Sequence, residues 1–206
     1  MRTNYVADPE EWCALFKVPG HDERGDNKHG IWRVVFPVGA QLDEEEIFSE
    51  GEVQRRIQGF HRKDGDYDVV HRNLYKVHQR VAATFRKGRV MLAGDSAHVN
   101  NSVGGLGLNS GIHDAMELVD TLREIIEHQA DHALLDRYSR RRRISNIESV
   151  QEQTIANKKR LEEREPKARQ ARFDELRATA EDPKSHREFL LRTSLIASMR
   201  KAHSID

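Results

Sequence analysis

The apolar positions along the chain change their spacing several times, and each spacing predicts a different element. Residues 11–18 (Glu-Trp-Cys-Ala-Leu-Phe-Lys-Val) form a short apolar run closed by Pro19-Gly20, which reads as a strand. A polar stretch with three glycines at 20–30 predicts a hairpin loop. Ile31 to Val38, dense in β-branched and aromatic residues, predicts a second strand. From Asp43 to Phe60 the apolar residues Ile47, Phe48, Val53, Ile57 and Phe60 fall near helical spacing, weakened at Gly51. Asp43 and Glu46 stand three apart, as in a capping box. Residues 68–80 alternate, with Val70, Leu74 and Val77 among His and Arg, and predict an edge strand.

The texture changes at Gly88. Arg89-Val90-Met91-Leu92-Ala93 is almost wholly apolar and predicts one buried strand over 89–94. A loop rich in Gly and Asn follows. From Leu108 to Ile126 the positions Ile112, Ala115, Met116, Leu118, Val119, Leu122, Ile125 and Ile126 describe an amphipathic helix. The remainder reads as helix to the end, broken near Pro166 and Pro183, with 157–165 as an exposed, charge-laced helix. Met91 and Met116 read as core.

Composition narrows the classes. Lys plus Arg and Asp plus Glu both number 34 in 206 residues, and this balance argues against a polyanion binder; no nucleic-acid partner is expected. Residues 1–136 hold 16 basic and 23 acidic side chains (net −7), and residues 137–206 hold 18 and 11 (net +7). The basic tail suits docking on the acidic first part or on a partner subunit. A single Cys13 excludes an intrachain disulfide and a cysteine-based zinc site. No run approaches the roughly 18 apolar residues of a membrane span, and residues 1–30 hold no signal-peptide core. A cytoplasmic protein is expected.

The chemistry concentrates in Gly88 to Asp120. A strand there delivers Asp95 at its C-terminal end, and a loop with Gly104, Gly105 and Gly107 leads into a helix N-terminus. Open α/β sheets bind ligands where strand C-termini face helix N-termini. The unpaired N–H groups there favour negative or electron-rich groups, and glycines let backbone approach a flat ligand. A carboxylate at the strand end suits a polyol hydroxyl. These requirements describe a dinucleotide or flavin site better than a metal or nucleophile site.

Gly94-Asp95-Ser96-Ala97-His98, then Gly104-Gly105-Leu106-Gly107-Leu108-Asn109, then Gly111-Ile112-His113-Asp114-Ala115 resembles the second flavin fingerprint of FAD-dependent aromatic hydroxylases, the para-hydroxybenzoate hydroxylase group. Trp32 to Pro37 resembles a strand of that family's substrate domain, and His78 to Ala82 the segment returning to its flavin domain. The resemblance implies cofactor binding by Gly94, Asp95, Gly104, Gly105, Gly107, Leu108 and Asn109. Asp95 would bond the ribityl chain, and the loop and helix N-terminus would face the pyrimidine end of the isoalloxazine. It implies FAD as cofactor, NAD(P)H as reductant, and a small aromatic, phenolic substrate hydroxylated with O2. The family usually carries proline where this chain has Asn101-Ser102.

The family's opening Gly-x-Gly-x-x-Gly unit is not found in these 206 residues, and Asp64-Gly65 lies in a polar turn rather than in the family's middle fingerprint. The resemblance therefore describes the C-terminal portion of a hydroxylase, lacking the N-terminal Rossmann unit. The expected fold is α+β: a partial substrate-binding domain with an incomplete β-sheet over 1–80, a second FAD-binding segment of one buried strand plus helix over 81–130, and a helical C-terminal region over 131–206. Exposed apolar surface is expected where the missing half would pack, with a homo-oligomer or an N-terminal half completing the protein. The alternatives are a non-catalytic truncated paralogue acting as an interaction or dimerisation module, and a related flavin halogenase or epoxidase. No catalytic residue is assigned. His98 reads as a loop histidine that packs or bonds backbone. His71, Tyr75 and His78 read as surface or interface residues before pocket residues. Arg140 to Arg143 read as a solvated or interdomain face before a phosphate site.

Overall fold

The computed structural model describes residues 3–18, 30–39 and 41–206, and the chain divides into two compact units. The first comprises Met1–Tyr75 with Arg160–Arg169. Its sheet has β1 (Thr3–Val6), β2 (Cys13–Val18) and β3 (Ile31–Val35) in that order, both pairings antiparallel, with Tyr5 opposite Ala14 and Ala14 opposite Val35. The loop expected at 20–30 lies outside the described residues apart from Gly30. Trp12, Cys13 and Ala14 are buried, and the Trp12 indole Nε1 donates to Glu162 at 3.0 Å.

The helix expected over 43–60 is two helices, α1 (Glu44–Phe48) and α2 (Glu50–Phe60). Asp43 caps α1 by accepting from the Glu46 N–H at 2.7 Å. Ser49, extended at φ −60° and ψ 143°, ends α1 and caps α2 through its hydroxyl, so the break falls there and not at Gly51. Val53 and Ile57 supply the buried face of α2.

The edge strand expected at 68–80 does not form: only Arg80, in β4 (Arg80–Val81), is paired. At its start, the Gln54 side chain takes the place of a neighbouring strand, donating to the Tyr67 carbonyl and accepting from the Tyr67 N–H. Beyond it, Val70, Leu74 and Val77 are exposed, so the alternation has no apolar layer to face.

The second unit comprises Lys76–Lys159 and Gln170–Asp206. β4 pairs with β7 (His98–Val99), and β5 (Arg86–Lys87) forms a tight hairpin with β6 (Val90–Met91) across Gly88, which sits at φ +61°. The buried strand expected at 89–94 is thus two residues long, and Val90 is 65% exposed. Among the described residues β6 has one neighbour, and after Leu92 bonds Phe85 the chain turns away into a 3₁₀ turn, Gly94–Ser96. A strand paired on one side with no layer over Val90 cannot be central.

The α+β class stands, with helices dominating. α3 (Leu106–His128) and α4 (Leu134–Ser145) lead through a π-type stretch, Asn146–Gln151, into α5 (Glu152–Leu161), followed by α6 (Pro166–Glu181), α7 (Pro183–Thr193) and α8 (Ile196–His203). Pro166 and Pro183 open helices, where their missing N–H costs nothing. One core gathers Phe85, Ala97 and Tyr138, and a second Leu106, Val150 and Leu195. Among the described residues no helix is long and apolar enough to cross a membrane.

Candidate functional site

The site is built where the 3₁₀ turn Gly94–Ser96 meets α3. Gly94 takes a left-handed φ of +59° and turns the chain out of the hairpin. Ser96 locks the turn: its hydroxyl donates to the Ala93 carbonyl at 2.8 Å and accepts from the Ala93 N–H at 3.2 Å. The turn leaves Asp95 exposed, with a carboxylate that takes no partner among the described residues.

The loop after β7 brings the chain back to α3. Asn101 accepts from the Val103 N–H, and both the Asn101 N–H and its amide donate to the Gln79 side chain at 3.0 Å. Gly104 (φ +100°) and Gly105 (φ +65°) are both left-handed, and Gly105 is the N-cap of α3 with no side chain capping the helix. A Cβ on Gly105 would meet nothing within 4 Å, so the start of α3 is open on the Gly105 side, and the first-turn N–H groups have no side-chain cap. Leu108, 77% exposed, and Asn109 flank that face, the Asn109 amide donating to the Gly105 carbonyl.

The expected site residues therefore fall into two groups. Asp95, Gly104, Gly105, Leu108 and Asn109 are exposed. Gly94 and Gly107 face inward: a Cβ on Gly107 would come within 3.1 Å of Asn100 Oδ1, and Gly94 abuts Gly111 of α3. His71, Tyr75 and His78 are exposed and lie outside this turn.

Behind the turn lies a polar cluster that the sequence reading missed. Of the apolar positions expected along α3, Ile112, Met116, Val119 and Ile126 are exposed, as is Leu108, whereas Leu118, Leu122 and Ile125 are half-buried and Leu118 packs on the Phe85 core; the buried positions are Leu106, Ser110, Asp114 and Thr121. Met116 is thus not core. Asp114 is fully buried and accepts four hydrogen bonds: from the Gly94 N–H (3.0 Å) and His98 Nε2 (2.6 Å) on Oδ2, and from Arg142 Nε (2.6 Å) and Asn146 Nδ2 (3.5 Å) on Oδ1. Ser110 donates to Asn146 Oδ1 at 2.8 Å. Burial pushes the Asp114 carboxyl up, but the His98 bond and the Arg142 charge outweigh it and hold the group below the ordinary carboxylate range.

His98 packs, as expected, but from a strand rather than a loop, and its hydrogen bond goes to a side chain rather than to backbone. It sits in β7, fully buried, its ring stacked on Phe85 and bonded to a carboxylate. The arginine run is a solvated face only at Arg140, which is exposed and donates to the Asp206 carbonyl; Arg141 and Arg143 are half-buried and donate to the carbonyls of Ile205 and Ala82, and Arg142 is 2% exposed. The available signal was Ser110 and Asp114 at i, i+4 opposite the apolar stripe.

An exposed carboxylate on a rigid turn, two left-handed glycines and an uncapped helix N-terminus facing open space are what a flavin needs: a hydroxyl acceptor, close backbone approach, and dipoles aimed at a ring that gains negative charge. The residues present fit the isoalloxazine and ribityl portion of FAD. Among the described residues no His, Cys, Asp and Glu group could hold a metal ion.

The profile of a family described as "FAD binding domain" matches residues 16–153. Para-nitrophenol 4-monooxygenase of Pseudomonas sp. strain WBC-3 is 37% identical over 198 residues, 92% of this chain and 45% of that protein. A 3-(3-hydroxy-phenyl)propionate/3-hydroxycinnamic acid hydroxylase of Mycolicibacterium smegmatis is 40% identical over 115 residues, 56% of this chain and 20% of its own length. Among solved structures, p-nitrophenol 4-monooxygenase PnpA from Pseudomonas putida DLL-E4 superposes with a TM-score of 0.80 at 34% identity, covering 94% of this chain and 48% of that one. The chain spans less than half the length of these relatives.

Proposed function

The chain belongs to the FAD binding domain family, and from that premise we propose that it supplies the flavin-ring half of the cofactor site in an NAD(P)H-using monooxygenase that hydroxylates a phenolic ring. The observation that carries this reading is the 37% identity of 92% of this chain to para-nitrophenol 4-monooxygenase, whose name makes a phenol the favoured substrate class.

In this reading the Asp95 carboxylate accepts hydrogen bonds from ribityl hydroxyls. Gly105 admits the ring edge, beside Gly104, whose missing side chain makes room for Asn157 Nδ2, and the first N–H groups of α3, beside Leu108 and Asn109, face the part of the ring where reduction places negative charge. Gly94 and Gly107 set the turn and the helix start at the right separation. FAD, when bound, supplies the hydride acceptance and oxygen activation; the protein supplies position and field. By the same reading, 1–80 is a partial substrate-binding domain, 81–130 the flavin segment and 131–206 its helical support.

Titration of the chain with FAD, followed by flavin fluorescence, tests this. Saturable binding is expected, with Asp95→Ala weakening it about tenfold or more, the loss of hydrogen bonds to a charged acceptor. Equal affinity in Asp95→Ala would overturn the assignment. Riboflavin and FAD should bind comparably, because the residues described address the ring and ribityl chain.

A further inference from the structure

We propose that Asp114, which touches no ligand-facing surface, is the positioning residue of the flavin-facing turn, acting with His98 and Arg142 to fix where Asp95 stands. The proposal rests on the reading of Asp95 as a flavin ligand.

The geometry is specific to that turn. One oxygen of Asp114, Oδ2, takes the Gly94 N–H immediately before Asp95 and the Nε2–H of His98 three residues after it. The segment carrying Asp95 is therefore held at both ends by a single buried atom. The other oxygen takes Arg142 Nε and Asn146 Nδ2, which tie that atom to α4 and the helical stretch beyond it. The arginine balances the carboxylate charge, without which so buried an anion would be costly. Gly111, one turn before Asp114 on α3, adds a second constraint: its backbone lies against Gly94 with no room for a side chain. His98 contributes one N–H to this arrangement. Its other ring nitrogen, Nδ1, is buried with no partner among the described residues.

The chemistry of the carboxylate makes the role testable. Both oxygens face donors, so an amide in place of the carboxylate must turn an N–H₂ group against either the Gly94 and His98 donors or the Arg142 and Asn146 donors. Asp114→Asn keeps size and shape yet releases one pair. His98→Gln retains an N–H donor, whereas His98→Leu does not.

The test uses the full chain, with FAD affinity by fluorescence, backbone amide exchange by NMR, and folding by circular dichroism. In Asp114→Asn, FAD affinity should fall about tenfold or more and the Gly94 amide should exchange about tenfold faster, while the amides of Leu118 and Leu122 on the same helix speed by no more than the loss of global stability accounts for. His98→Gln should bind FAD within about threefold of wild type and His98→Leu should lose affinity like Asp114→Asn. A merely structural role would speed exchange along the whole of α3 and leave affinity unchanged in the folded fraction. If Asp114→Asn does not fold, the two His98 variants decide by the same readouts. A folded Asp114→Asn that binds FAD as wild type does, or equal affinities for His98→Gln and His98→Leu, overturns the positioning role alone. Wild type that binds no FAD overturns the flavin reading on which it rests.

Discussion

Gly111 and Gly94 meet backbone to backbone: a Cβ built on Gly111 would stand 3.1 Å from the Gly94 Cα, a separation that side chains rarely tolerate. The contact sets how closely the turn bearing Asp95 approaches α3. Alanine in mid-helix would normally gain about 1 kcal/mol over glycine. Here the clash, against backbone already held by Asp114, costs about 1–3 kcal/mol. Gly111→Ala is expected to destabilise the protein, whereas Gly51→Ala in α2, where nothing lies within 4 Å, should stabilise it by about 0.5 kcal/mol. Urea unfolding of the two variants measures both signs; a stabilised Gly111→Ala would contradict the contact.

The Asp114–Arg142 pair predicts a strongly non-additive cycle. Removing one partner leaves the other buried and uncompensated, so Asp114→Ala and Arg142→Ala should each cost about 3–5 kcal/mol. The apolar double replacement Asp114→Leu with Arg142→Met should cost less than the sum of its single changes. Additive losses in denaturant unfolding would mean that the two charges do not depend on each other.

Two buried carboxyls give opposite pH dependences. Asp114 is held below its ordinary value despite burial, so its stabilisation is complete above about pH 4 and is lost as pH falls through the folded value. The stability gap between wild type and Asp114→Asn should be constant near pH 6 and narrow below pH 4. Glu117 is raised by burial, which outweighs Arg142 and Arg141, and one of its oxygens has no hydrogen-bond partner among the described residues. It opposes folding once pH exceeds the ordinary carboxyl range, so Glu117→Gln should raise Tm at pH 7 and leave it unchanged near pH 3. Thermal unfolding across pH 3–7 reads both; a gap that widens on acidification would contradict the Asp114 assignment.

The outward stripe of α3 carries a separate expectation. Val119 is 62% exposed, with Ile112, Met116 and Ile126 on the same face. Charged residues there replace no buried contact, so Val119→Glu with Met116→Glu should change stability by no more than about 0.5 kcal/mol per site. The same variant should bind less of an apolar dye such as ANS. A loss of several kcal/mol would show the stripe to be buried.

The same stripe explains what the sequence could and could not reveal. Helical spacing located α3 correctly, and the Asp43 cap, strands within 11–18 and 31–38 and the helix breaks near Pro166 and Pro183 followed from local chemistry alone. The direction in which α3 faces did not, because periodicity marks an apolar face without saying what covers it. The inward face mixes Leu106 and Leu118 with Ser110 and Asp114, which find Asn146 and Arg142 from 28 to 36 positions away. That long-range pairing also turns Arg142 of the arginine run inward, which a local count of charges cannot anticipate. The strand expected at 89–94 failed for a related reason: an apolar run becomes a buried strand only with neighbours on both sides, and β6 has β5 alone among the described residues. The exposed part of the candidate site was legible, because glycines at left-handed positions and a lone carboxylate on a turn are local signals. Its buried support was not, because His98, Asp114 and Arg142 are joined only by the fold.

The most direct test of the flavin site is an amide NMR titration of the chain with FAD. The account predicts shifts concentrated at Asp95 and Ser96 and over Gly104 to Asn109, absent or strongly reduced in Asp95→Ala. Shifts centred on another part of the chain, or the same shifts in Asp95→Ala, would contradict it.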